Sequence, residues 1–244
     1  FFNSVESLID SFFMNVVFNQ DIKNCYIYSP SFLKYAQSAN KFCKSVKHIN
    51  RFDNLDFQIA DDSVVIFTNP TKPDGKYTDL KILFAQWREK NATIFIDEAF
   101  LDYCNDMSFS SIINEYDKLY VLKSMQRFYS IEGLKIATLV SNKTNISQIK
   151  KKEAKYKLSV LDSNYLLDVL KDKNFKKINQ AVNAKNITLL EEVLKCSGMF
   201  EEIYPSNTNM LLCKLKDMEA KEFQYANIKS HLNDEEMIKS FKTL

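Results

Sequence analysis

Three short stretches of this chain gather residue types that could do chemistry together. In SVVIFTNPTKPDGKY, residues 63–77, an apolar run empties into Asn69, Lys72 and a Pro/Gly-rich turn. In TIFIDEAFLDY, residues 93–103, a second apolar run delivers Asp97 at its end. A carboxylate emerging from a buried strand is costly unless a cation or hydrogen-bond donors meet it. A protonated ring nitrogen is one good partner; capping a helix is the other role open to the same acid. In YVLKSMQRFYSIEGLKI, residues 120–136, Ser124 offers a hydroxyl to an anion and Lys135 a charge. Taken singly, each stretch also reads as ordinary turn or surface chemistry. Their order along the chain joins them.

The elements that must position these residues follow from the apolar pattern. Short β-rich runs recur at 25–29, 64–69, 93–99, 118–124 and 135–141, with helical periodicity over 31–44 and 78–90. Apolar strands separated by helices predict an α/β fold, a mainly parallel sheet covered on both faces. In such sheets ligands gather beyond the carboxyl ends of the strands, which is where Asn69, Asp97 and Ser124 fall. From about Asn145 onward the pattern turns helical, with one long helix expected over 162–198 and Gly198 as its C-terminal stop. EEIYP, NMLLCKL and a last helix over 233–244 follow, capped by Asn233 or Asp234. We divide the chain into a large α/β domain over 1–145, a helical segment over 146–197 that completes or links it, and a small α+β domain over 198–244.

Bulk properties exclude several classes. The chain has 244 residues, 45% hydrophobic and 26% charged, which argues against disorder. Its apolar runs are too short to span a bilayer, so no membrane partner is expected. A formal net charge of +2 gives no reason to expect nucleic acid. Five scattered cysteines without a CxxC, and two histidines, argue against a disulfide scaffold or zinc site and for a reducing cytoplasm. The opening stretch, interrupted by Glu6 and Asp10, predicts an amphipathic helix with Val5, Leu8, Ile9, Phe12, Phe13 and Val16 on one stripe, not a signal peptide. The chain opens without Met inside what reads as a functional turn, and a preceding segment is expected. Three glycines are few for so many turns, so Asn and Asp are expected in left-handed positions.

Read in order, NPTKPDG, IDEAFLDY and SMQRFYSIEGLK resemble the motifs of the fold-type-I pyridoxal-phosphate enzymes of aminotransferase class I/II. The likeness is to the histidinol-phosphate aminotransferase and threonine-phosphate decarboxylase branch, with its NPNNPTG, DEAFxDF and SLTKFYxxxGLRxGY. FNSVESLI, PSFLKY and YPSNTNMLL are similar to further family motifs, so the resemblance spans nearly the whole chain. It implies pyridoxal phosphate (PLP) as cofactor, a small phosphate-bearing amino acid or amine as substrate, and a homodimer. It also implies that Asp97 pairs with the pyridine nitrogen, that Ala99 and Phe32 pack on the ring, and that Ser124 and the amides around Ser4 and Val5 bind phosphate. Asn69 and Tyr129 match the pattern as well.

Four positions depart from it. Arg127 stands where the family has its Schiff-base lysine, and a delocalised, cationic guanidinium is no amine nucleophile. Lys72 replaces the asparagine that contacts the phenolic oxygen. Lys135 replaces a phosphate-binding arginine. Gln224, in QYANIKSH, replaces the arginine that clamps a substrate carboxylate, behind a stretch contracted relative to the family. Lys72 and Lys123 are the two amines that could stand in for the missing lysine. Three readings stay open: a working transaminase or amino-acid-phosphate decarboxylase, a degenerate relative that binds without covalent chemistry, and a dimer partner of an active homologue.

Overall fold

The computed structural model describes residues 1–129, 132–154, 158–172, 174–217, 219 and 222. Its centre is a six-stranded sheet built from β1 (Asn24–Ser29), β2 (Ser45–Asn50), β3 (Val64–Thr68), β4 (Thr93–Asp97), β5 (Leu119–Ser124) and β6 (Ala137–Val140), in the order β2-β1-β3-β4-β5-β6. The first five strands are parallel and β6 is antiparallel to β5. The chain runs outward from β1 to β2 and then returns to add β3 on the other side, a reversal that opens a crevice at the strand ends. Phe2 adds one antiparallel bridge to Ala137 beside β6.

Side-chain alternation sorts each strand between two cores. Cys25, Ile27, Val64, Ile66, Phe95, Tyr120 and Leu122 meet α1 (Val5–Phe12), the π-helical turn Phe13–Phe18 that extends it, and α2 (Leu33–Phe42). Tyr28, Val65, Phe67, Ile94, Ile96, Leu119 and Val121 meet α3 (Lys81–Glu89) through Leu83, Phe84 and Trp87. Both faces are covered, so β3 and β4 read as unbroken apolar runs. The predicted amphipathic opening helix is α1, and its stripe is the part that enters the first core.

Two expectations need correction. SVKHIN, not anticipated as a strand, is the edge strand β2; it buries Ile49 alone, and its polar residues face outward as edge strands require. The long helix expected over 162–198 is two helices, α5 (Val160–Lys171) and α6 (Phe175–Cys196). The break has a local cause: the Asp172 carboxylate accepts from the amides of Asn174 and Phe175, restarting the helix with a cap in place of a continuous ladder. Gly198 does stop α6, at φ +67°. Before these helices lies α4 (Lys143–Lys152), and after them a hairpin of β7 (Phe200–Ile203) and β8 (Cys213–Leu215). The expected helix over 233–244 lies outside the described residues. Asp21, Asp62 and Asn91 take the left-handed conformation, as the glycine shortage implied; among the described residues Lys135 is the fourth non-glycine to do so. Among the described residues, no helix is long and apolar enough to cross a membrane.

Candidate active site

The same alternation that builds the cores aims the site. Thr68, Asp97 and Ser124 close β3, β4 and β5 with the parity of Ile66, Phe95 and Leu122, so all three point to the side of α1 and α2. Thr68 pairs with Asp97 across the sheet, and Ser124 pairs with Ala137 of β6, which sets Lys135 beside that end. Together they line a cleft of about 180 Å³ whose walls come from Val5 and Glu6 of α1, Phe32 at the start of α2, Lys72, Ala99, Phe100, Gln126 and Arg127.

Asp97 is the floor of this cleft and is 5% exposed. Its Oδ2 accepts the Tyr35 hydroxyl at 2.7 Å, and its Oδ1 accepts the amide of Ala99 at 2.9 Å. Burial pushes the Asp97 carboxyl above its ordinary 3.8, against the pull of those two hydrogen bonds and the charge of Lys72. Burial, then the Asp97 charge, holds the Tyr35 hydroxyl well above 10, so it stays a donor. Beside Asp97 the Thr68 hydroxyl is buried without a hydrogen-bond partner among the described residues, an unusual expense for a polar atom. Tyr35 and Thr68 were not anticipated. Both were legible in principle, Thr68 from its place at the end of β3 and Tyr35 from its position three after Phe32.

The remaining anticipated residues divide between the cleft and its supports. Ser124 accepts the Gln126 amide at 3.4 Å. Lys135 is exposed and held at φ +42°, a strained conformation for a lysine. Ser4 caps α1 by accepting the Ser7 amide at 2.9 Å, while Val5 and Glu6 of the first turn reach the cleft wall. A helix N-terminus favours an anion there, and Glu6 places a carboxylate at the same rim. Asn69 turns away: its amide group bonds both the N–H and the C=O of Thr78 at 2.9 Å and clamps the loop that carries Lys72. Tyr129 stacks on Phe175 at 5.5 Å, outside the cleft lining. Gln224 lies outside the described residues.

Of the cationic groups considered, Lys72 is half-buried in the cleft, whereas Arg127 is exposed, its guanidinium 5.3 Å from the centre of the Phe100 ring. Lys123 is on the opposite face of β5 from Ser124. There its ammonium lies 3.6 Å from Glu98, which accepts the amide of Phe109 at 2.6 Å. Lys123 therefore belongs to the second core's side of the sheet and does not enter the cleft.

A planar heterocycle bearing a phosphate suits these residues. A buried acid could meet a ring nitrogen, Phe32 and Ala99 offer apolar contacts from two elements, and Ser124, Lys135 and the start of α1 offer donors and charge to an anion. Arg127 supplies no amine.

The architecture is that of the fold-type-I PLP-dependent transferases. It superposes on the histidinol-phosphate aminotransferase of Clostridium acetobutylicum with a TM-score of 0.77 at 22% identity, over 93% of this chain and 70% of that one. On the L-threonine-O-3-phosphate decarboxylase of Porphyromonas gingivalis the TM-score is 0.73 at 18% identity, over 94% and 70%. The profile of the family "Aminotransferase class I and II" matches residues 17–240, and the chain belongs to that family. Histidinol-phosphate aminotransferase from Methanocaldococcus jannaschii is 26% identical over 234 residues, 91% of this chain and 61% of that protein. The chain thus spans less than two thirds of that relative's length. The similarity falls in the branch the motifs implied.

Proposed function

We propose that this chain is a PLP-binding protein of the aminotransferase type, acting on a small amino acid or amine that carries phosphate. Amino-acid-phosphate decarboxylation is the companion reaction of the same branch. The observation that carries the reading is Asp97: a buried carboxyl at the end of β4, oriented by Tyr35 and Ala99, in a cleft with an unpaired Thr68 hydroxyl. Bound there, PLP supplies an electron-withdrawing ring that stabilises negative charge on a substrate carbon.

The chain's own residues do the rest. Asp97 would hold a proton at the ring nitrogen, its two oxygens fixed by Tyr35 and Ala99. Phe32 and Ala99 exclude water from the ring. Ser124, Lys135 and the first turn of α1 bind the phosphate; Lys135 does so as a point charge rather than a fork. Arg127, a five-donor guanidinium, holds an anionic group at the mouth of the cleft.

A second reading is favoured by Arg127 itself: a relative that retains the pocket but not covalent chemistry. The assembly we propose is a homodimer, supported by apolar side chains left exposed along α5 and α6, among them Val160, Leu161, Leu167, Ile178, Leu189 and Val193. The cysteines, all free as thiols, support a cytoplasmic home. We keep the division into a large domain to residue 145, a helical segment to 197 and a small domain beyond.

The test is calorimetric titration with pyridoxine 5′-phosphate and with PLP. Saturable binding that is lost in Asp97→Ala and weakened in Ser124→Ala is the expected result. Equal affinity in all three proteins would overturn the reading.

A further inference from the structure

We propose that Lys72 is the amine of this site, forming the covalent bond to a bound aldehyde that Arg127 is chemically unable to form. The inference rests on the cofactor reading above and goes beyond it, because it assigns a nucleophile to a position with no such role in the family's motifs.

Three observations carry it. The first is placement. Lys72 lines the cleft, is half-buried, and is the cation whose charge reaches Asp97. The second is fixation of its loop. Thr71 receives the Gly75 amide on its carbonyl at 2.8 Å and donates its own amide to Lys76 at 2.9 Å. The Thr71 hydroxyl donates to Asp74 at 2.7 Å, and Arg51 grips Asp74 with two nitrogens at 2.6 and 3.1 Å. Asn69 closes the loop at Thr78, and the Asn207 amide donates to Gly75 at 2.9 Å. A covalent site needs near-attack alignment, and these bonds fix the backbone on both sides of Lys72. The third is the position of the alternatives. Lys123 is on the other face with Glu98. Lys135 stands on the β6 side of Asp97, with Ser124, where the phosphate is proposed to bind; Lys72 stands on the β3 side. An anion held at Ser124 and Lys135 leaves Lys72 to the ring edge that carries the hydroxyl, next to the aldehyde-bearing carbon.

The step balances without an oxidant or reductant. Lys72 releases one proton to solvent, and its nitrogen adds to the aldehyde carbon. The aldehyde oxygen leaves as water with the two remaining amine hydrogens, so that one C=N bond replaces one C=O bond.

The test is brief incubation of the whole chain with PLP at low molar ratio, borohydride reduction, and peptide mapping by mass spectrometry. A parallel titration with pyridoxine 5′-phosphate, which has no aldehyde, reports occupancy of the cleft alone. The expected result is one phosphopyridoxyl group on the peptide containing Lys72, suppressed by excess pyridoxine 5′-phosphate. Incorporation should fall by about tenfold or more in Lys72→Met and in the charge-preserving Lys72→Arg, and stay unchanged in Lys123→Arg. Saturable pyridoxine 5′-phosphate binding with the label on Lys135, scattered over surface lysines, or absent would overturn the assignment of Lys72 while leaving the cofactor site standing. No binding of either compound would overturn both.

Discussion

The hydroxyl of Tyr35 donates to Oδ2 of Asp97 at 2.7 Å, joining α2 to the end of β4 across 62 positions of sequence. Both partners are buried, so water does not replace the bond when one is removed. Tyr35→Phe should therefore destabilise the fold by about 1–3 kcal/mol, read as a melting temperature lowered by about 2–4 °C per kcal/mol. It should also weaken pyridoxine 5′-phosphate binding, because the carboxyl is then held by the Ala99 amide alone.

Asp97 also sets a pH dependence whose sign is fixed by its burial. With its carboxyl raised above 3.8 in the folded protein, the folded state binds this proton more tightly than the unfolded chain. Stability should fall as pH rises from 3.8 to the raised value and then level off. Asp10 runs the other way. Burial raises its carboxyl, but the Lys34 and Ser38 hydrogen bonds and the Lys34 and Lys41 charges outweigh that and bring it below 3.8, so its contribution is present above 3.8 and lost as pH falls through the lowered value. Denaturation of wild type and Asp97→Asn side by side isolates the first effect. The variant should gain relative to wild type as pH climbs from 4 to 7, and a difference that does not change with pH would refute the assignment.

Arg51 and Asp74 form a buried fork, 7% and 4% exposed at the side chain, and the Arg51 Nε has no partner among the described residues. Removing one member strands the other's charge. Arg51→Ala should cost about 3–5 kcal/mol, whereas pairing Arg51→Met with Asp74→Leu should restore most of it. Urea denaturation of the single and double variants tests this. Loss of PLP labelling at Lys72 in the double variant would show that the fork positions the loop.

At Gly75 two constraints coincide. Its φ is +69°, and an added Cβ would lie 2.2 Å from the Ser206 hydroxyl and 2.3 Å from that of Thr208. Gly75→Ala should destabilise by more than about 1 kcal/mol. Gly133, with nothing within 4 Å of such a Cβ, is the control, and its alanine variant should stay within about 0.5 kcal/mol of wild type.

Much of the fold was legible because β3, β4 and β5 are buried on both faces and announce themselves as apolar runs. β2 was not, since an edge strand with polar residues carries little periodic signal. The break at Asp172 was missed because a capping aspartate inside a helical pattern looks like any surface acid. In the site, the places of Asp97, Ser124 and Phe32 followed from motif order, and all three line one cleft. The role of Asn69 as a clamp did not, because an amide serves a loop and a ligand equally well. Tyr35 stood in the PSFLKY stretch, three after Phe32, but its partner Asp97 lies in another element, so its role went unassigned.

Asp97 and Glu98 are neighbours in the chain, yet β4 sends them into separate compartments, one with Tyr35 and Ala99, the other with Ser108, Phe109 and Lys123. The sheet acts as an insulating wall between consecutive acids. Each carboxylate answers to the groups on its own side, so a change to the Lys123 pair alters how the strand is anchored while leaving the surroundings of the Asp97 carboxyl as they were.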